Sequence, residues 1–171
     1  MEEEIRFRQA EEKDKDIIWG ILQQAIERRK NDGSNQWQDG YPNLQTVEND
    51  IAKGQGYVLT LNDEIITYAA LIFNDEPAYE NIKGEWLTNG DFMVVHRVAV
   101  SDKAAGKGIV KKFFGTLDDF ARSKKVYSIK VDTNFDNLAM LAILEKLGYV
   151  YCGEVVFRES ARKAFEKVLT A

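Results

Sequence analysis

The 171-residue sequence contains one cysteine, Cys152, one histidine, His96, and two prolines. A lone cysteine excludes an intrachain disulfide, and with a single histidine there is no cluster at metal-ligand spacing. A reduced, cytoplasmic setting without a metal is therefore expected. No apolar run approaches the ~20 residues that span a bilayer. The opening "MEEEIRFRQAEEKDKD" is acidic and lacks the apolar core of a signal peptide. Neither a membrane anchor nor secretion is expected. Positive charge is also in short supply, with Lys and Arg totalling 23 against 28 Asp and Glu, a net charge of −5. A nucleic-acid binder needs a basic stripe to displace phosphate counterions, so nucleic acid is not an expected partner.

What is present is enough for a core: 44% hydrophobic residues and 30% charged ones suit one ordinary domain over residues 1–171. "IRFRQ" alternates as a short strand. A helix then runs from about Asp14 to Lys30, with Ile17, Ile18, Ile21, Leu22, Ala25 and Ile26 at helical spacing, closed by "NDG". The polar loop "SNQWQDGYPN" and a short helix over 44–52 lead into "GYVLTL" and "EIITYAALIF", two strand-like runs about "ND" that predict a hairpin. Residues 74–91 hold Pro77, Gly84, Gly90 and five carboxylates against one lysine, and read as a long acidic loop. "FMVVHRVAV" predicts a strong strand, followed by a helix with Val110, Phe113, Phe114, Leu117, Phe120 and Ala121 inward. "YSIKVDT" predicts a strand, 137–147 a helix ended by Gly148, and "YVYCGEVVF" a strand. The tail "RESARKAFEKVL" fits either strand or helix. The order β-α-α-β-β-β-α-β-α-β, with a possible last strand, predicts a mixed α/β (α+β) sheet with a strand-glycine-helix unit at its centre.

That unit, "KAAGKGIVKKFFG" over 103–115, carries the most chemistry. A Walker loop needs G-x-x-x-x-G-K-[ST], and here lysine follows the first glycine with no Ser or Thr after the second. A dinucleotide fingerprint needs a third glycine, where Lys111 stands, and an acid about 20 residues on at a strand end, where "DDFARSKK" is still helical. Both patterns fail. What remains is general: successive N–H groups at the start of a helix form an anion site, and Lys103, Lys107, Lys111 and Lys112 surround it. A diphosphate suits such a turn, although an ordinary strand-to-helix turn with solvated lysines is the other reading.

"VHRVAVSDKAAGKGIVKKFF" resembles the acetyl-CoA motif of the GNAT superfamily of N-acetyltransferases, [QR]-x-x-G-x-[GA] between strand and helix, with Lys103, Gly106 and Gly108 at the three defined sites. "DTNFDNLAMLAILEKLGYVYCG" resembles the family's following segment, where an Asn opens a helix that ends in "LGY" before a strand. The likeness, closest to bacterial small-molecule-type members, covers nearly the whole chain. It implies a central, mostly antiparallel sheet flanked by helices, and acetyl-CoA as cosubstrate. It further implies that Val98, Ala99 and Val100 pair with the pantetheine arm, and that the turn of Ala105, Gly106, Lys107, Gly108, Ile109 and Val110 cradles the diphosphate. Asn137 would face the arm from the other side, with Leu141 and Leu144 on its helical face, in a cleft between the two central strands. Lys103, Ala105 and Val110 depart from the usual residues, and Leu144 stands where many relatives carry a tyrosine that protonates the thiolate.

The chemistry implied is attack of a neutral amine on a thioester carbonyl, with a backbone N–H near Val98 facing the oxyanion. A thiol of pKa ~8.5 leaving at pH 7 costs only ~2 kcal/mol, so an acid helps without being required. Histidine is the residue type that titrates near neutrality, which makes His96 the first candidate base. Tyr151, Cys152 and Glu154 are weaker ones, and an ordered water relay is another route. Cys152 has no obvious partner to lower its pKa and reads as a small apolar residue rather than a nucleophile. Trp37 and Tyr41 would line the acceptor pocket, or simply pack. The expected acceptor is a small-molecule amine, and the expected protein a monomer or homodimer. A catalytically weak acetyl-CoA sensor is the alternative.

Overall fold

The computed structural model describes residues 3–104, 106 and 108–171. Among them lie eight strands and four α-helices, and the chain divides into two compact units. One comprises the chain up to Leu71 together with Arg97–Phe113, and the other Ile72–His96 with Phe114–Ala171. The sheet is mixed and mostly antiparallel, as the sequence predicts.

In the first unit, β1 (Ile5–Gln9) pairs antiparallel with β2 (Gly56–Leu61), and β2 with β3 (Glu64–Phe73). The β2-β3 reversal sits on Asn62 and Asp63, both with positive φ (49° and 68°), as a two-residue hairpin requires. Helix α1 (Lys15–Asn31) follows a 3-10 turn at Glu12–Asp14 and buries Ile18, Ile21, Leu22 and Ala25. Helix α2 (Leu44–Ala52) is capped by Asn43, whose side chain accepts from the Thr46 amide. Their apolar faces join Trp37, Val58, Tyr68 and Ala99 in one core.

The second unit orders its strands β5-β6-β8-β7-β4. Of these, β5 (Met93–Val100) and β6 (Ser128–Thr133) are parallel, and the remaining neighbours are antiparallel. The acidic segment is more structured than its composition predicts. It holds a 3-10 turn (Pro77–Asn81) and the two-residue strand β4 (Lys83–Gly84), which pairs with β7 (Val150–Phe157). That pairing needs glycine on both sides, because a Cβ on Gly84 would lie 2.1 Å from the Cys152 carbonyl oxygen and one on Gly153 2.2 Å from that of Lys83. The ambiguous tail resolves as strand β8 (Ser160–Val168), between β6 and β7, after a reversal at Arg158 and Glu159. Helix α3 (Ile109–Ser123) buries Phe113, Phe114, Leu117 and Ala121, and α4 (Leu138–Lys146) follows its cap Asn137.

Candidate active site

In the first unit, β5 ends in a turn built from main-chain groups. Arg97 takes the left-handed conformation (φ 56°), which breaks the two-residue alternation of the strand. Beyond Val98, Ala99 and Val100, the Val100 carbonyl accepts from Arg28, and the Ser101 amide donates to Ile66 of β3 at 2.8 Å. The chain then turns through Ala104, whose amide donates to the Ser101 carbonyl. Gly106 and Gly108 follow, exposed, at φ 80° and 70°, with no atom of the described residues beyond their chain neighbours within 4 Å of the position a Cβ would take. Glycine adopts this conformation without strain and leaves the approach open. Ala105 and Lys107 lie outside the described residues.

Lys112 donates to Gly108 at 3.1 Å in the first turn of α3, and among the described residues the amides of Ile109, Val110 and Lys111, at the helix start, have no acceptor within the helix. They sit at the positive end of a 15-residue helix. The Lys103 ammonium is paired with Glu64 at 2.8 Å, and that hydrogen bond holds its pKa above the ordinary lysine value. The pair is solvent-exposed and contributes little to stability.

The same unit ties Tyr41 into a network that sequence reasoning missed. The Arg97 guanidinium grips Asp50 of α2 through two hydrogen bonds (2.9 and 2.6 Å) and donates to the Tyr41 hydroxyl at 2.7 Å, while Tyr68 donates to Asp50 at 2.6 Å. Burial and then the Asp50 charge push the Tyr68 hydroxyl far above its ordinary pKa, so it stays a donor. Burial alone would lower the Arg97 pKa, but Asp50 outweighs it. Trp37 does not join this group; it is buried in the core, with the Arg29 guanidinium 3.8 Å from its ring centroid.

The second unit gathers side chains instead. Strands β5 and β6 pair only through Met93–Val94 and Ile129–Lys130, and His96 lies past that point on β5. Its Nε2 is 2.6 Å from Glu76 Oε2. The other Glu76 oxygen accepts from the Ala78 amide at 3.2 Å, so the 3-10 turn fixes the carboxylate that faces the imidazole. Both side chains are about nine-tenths buried, at 10% and 11% exposure. Phe157 stacks on the ring at 5.8 Å between centroids. Beside this pair, the buried Tyr79 donates to Asp132 at 2.6 Å, and Arg162 faces the other Asp132 oxygen at 3.6 Å. Burial and the Asp132 charge raise the Tyr79 pKa well above its ordinary value. Glu76 and Tyr79 line a cavity of about 280 Å³ with Trp86, Phe92 and Lys130.

The remaining expected residues lie elsewhere in this unit. Asn137 caps α4, its side-chain oxygen accepting from the Met140 amide at 3.3 Å. Leu144 is buried and Leu141 half-buried. Tyr151 is exposed, its ring edge-on to Phe165, outside the His96 and Tyr79 hydrogen bonds. Cys152 is the extra residue where the β7-β8 register slips, and burial raises its thiol pKa, which suits a packing role. Among the described residues no three His, Cys, Asp or Glu side chains are grouped to hold a metal, and no helix is long and apolar enough to cross a membrane.

Three comparisons bear on this arrangement. The sequence profile described as "Acetyltransferase (GNAT) family" matches residues 22–149. Among solved structures, the chain is similar to a GNAT-family acetyltransferase from Streptococcus agalactiae 2603, with 33% identity and a TM-score of 0.89 over 98% of this chain and 96% of that one. A GNAT-family acetyltransferase from Listeria monocytogenes 4b F2365 shares 17% identity and a TM-score of 0.77 over 96% and 95% of the two chains. An N-acetyltransferase from Staphylococcus aureus Mu50 shares 17% and 0.68 over 98% and 99%. The last two likenesses speak for the fold alone. No curated protein matches the sequence.

Proposed function

The chain belongs to the acetyltransferase (GNAT) family, and from that premise we propose that it acetylates the primary amine of a small molecule by direct attack, with His96 as base and Glu76 as the group that orients it. Membership makes it an acetyl-CoA-dependent N-acetyltransferase; the acceptor, the route and the residue roles are our reading.

The observation that carries it is the turn after β5. Among the described residues, Gly106 and Gly108 leave open space and positive φ where a diphosphate would lie, and the first amides of α3 have no acceptor within the helix. These features fit the cosubstrate. The residues that would hold it are Val98, Ala99 and Val100 for the pantetheine arm, and 105–110 for the diphosphate. Asn137, Leu141 and Leu144 would complete the arm's surroundings. Acetyl-CoA, when bound, supplies an activated thioester. The Val98 N–H is the donor for charge developing on its carbonyl oxygen. His96 takes the amine proton, and Glu76 holds the imidazole in one orientation. Tyr151 is second to His96 because it lies outside this network. Tyr41, half-buried against Arg97, suits an acceptor-facing wall better than Trp37, which is packed under Arg29.

The single-domain reading of residues 1–171 is supported by the chain path, since β5 and α3 each contribute to both units. We place the protein in the cytoplasm, as monomer or homodimer. Incubation with acetyl-CoA and a panel of amines, following free CoA with a thiol reagent, tests the function. Acceptor-dependent CoA release is expected; binding of acetyl-CoA without release on any amine would leave a binding module instead of an enzyme.

A further inference from the structure

Lys130 is a buried amine without a partner. It is 5% exposed on β6, and its Nζ makes no hydrogen bond or ion pair among the described residues. Two aromatic rings flank it instead, Phe92 with its centroid 4.0 Å away and Trp86 at 4.4 Å. Glu166, its cross-strand neighbour on β8, is already occupied by Ser128, Thr88 and the Leu87 amide. A buried ammonium without an ion-pair partner is costly, and the Glu166 charge across the strand and the two aromatic faces offset only part of that cost. Desolvation accordingly lowers the Lys130 pKa below the ordinary lysine value. The amine lines the 280 Å³ cavity whose wall also carries Glu76, tied to His96, and the exposed Glu80, which makes no ion pair among the described residues.

The cavity is therefore bipolar: one wall offers a cation with no ion pair among the described residues, and another offers the carboxylates of Glu76 and Glu80. Its volume falls just below the ~300–1,000 Å³ typical of sites for drug-sized ligands. We propose that this cavity takes a free amino acid, its carboxylate on Lys130 and its amine toward Glu76, the partner of His96, and Glu80. Resting on the function proposed above, the inference names the acceptor as an α-amino acid or a close zwitterionic analogue. A diamine would leave Lys130 unmatched and place a second cation against it. An amino sugar would bring no carboxylate for Lys130.

The test needs no turnover. Thermal shift and calorimetry of the wild-type chain, without acetyl-CoA, compare the twenty free amino acids with the carboxamide of each binder and with the amine lacking the carboxyl group. At least one free amino acid is expected to bind, with its carboxamide and decarboxylated amine at least tenfold weaker. In Lys130→Met, which keeps the apolar stem, acid and carboxamide should bind alike. Should that variant not fold, Lys130→Gln or the wild-type acid-to-carboxamide ratio alone decides. Binding by no amino acid, equal binding of acid and carboxamide by wild type, or a ratio unchanged in Lys130→Met would each overturn the proposal. Amino-acid binding without CoA release would spare this site and sink the enzymatic reading. CoA release on amines that lack a carboxylate, with no preference for acids, would do the reverse.

Discussion

The turn after β5 and the His96 cluster are built by opposite means. In the first, the side chains matter little: Gly106 and Gly108 present space, positive φ and main-chain N–H groups, and Lys103 is turned to Glu64. In the second, nearly everything is side chain, with Glu76 fixed on both oxygens and Tyr79 and Arg162 sharing Asp132. A phosphate group needs several weak donors at a helix start, which any sequence with the right backbone supplies. Proton transfer needs one group of suitable basicity held within a few tenths of an ångström, and only packed, hydrogen-bonded side chains do that.

Substitutions should separate the two regions. The largest effect is expected from His96→Gln, with kcat lower by ~10²–10⁴ and an acetyl-CoA KM close to that of wild type; steady-state kinetics from pH 6 to 9 checks it, and an unchanged profile would remove His96 from the mechanism. Gly108→Val should do the converse. A β-branched residue at φ 70° is strained by ~1–2 kcal/mol and obstructs the approach to the amides, so the acetyl-CoA KM should rise at least tenfold while kcat stays within about threefold.

Tyr79→Phe sharpens the second region by leaving one Asp132 oxygen without its donor. A stability loss of ~1–3 kcal/mol, read as a lower urea midpoint at unchanged m-value, is expected. Asp14→Asn, whose hydrogen bonds go to Arg8 and the Glu11 amide and to neither region, should have the smallest effect. The hydrogen bond from Arg8 is the main reason that the Asp14 pKa lies below the ordinary carboxylate value, against the opposing pull of burial. Its stabilisation is thus present above the unfolded pKa of ~3.9 and lost as pH falls through the lower folded value. The variant should lose at most ~1 kcal/mol at pH 7, with a shallower acid limb between about pH 4 and 2 in urea melts, and keep its kinetics.

The contrast also explains what could be read in advance. A positive-φ glycine pair between strand and helix is a local signal, and so is the Asn62–Asp63 hairpin. The reversal at Arg158 and Glu159 uses the same left-handed conformation with residues that do not announce it, so β8 stayed ambiguous. Glu76 and His96 are 20 residues apart and Tyr79 and Asp132 53 apart, pairings that only the fold specifies. In "SIKVDT" the alternation puts Ser128 and Lys130 on one face with polar side chains, yet both are buried, with Trp86 and Phe92 over Lys130 and Glu166 of β8 accepting from Ser128. Sequence patterns report periodicity along one element, and say nothing of which distant segment will lie over it.

The central claim is that main-chain amides around the glycine turn grip the cosubstrate. Titration of the ¹⁵N-labelled protein with CoA, following amide resonances, addresses it most directly. The account predicts the largest shifts at Gly106, Gly108, Ile109, Val110 and Lys111, saturating together, and their loss in Gly108→Val. Saturable binding with those amides unmoved, or no shift anywhere at millimolar CoA, would contradict it.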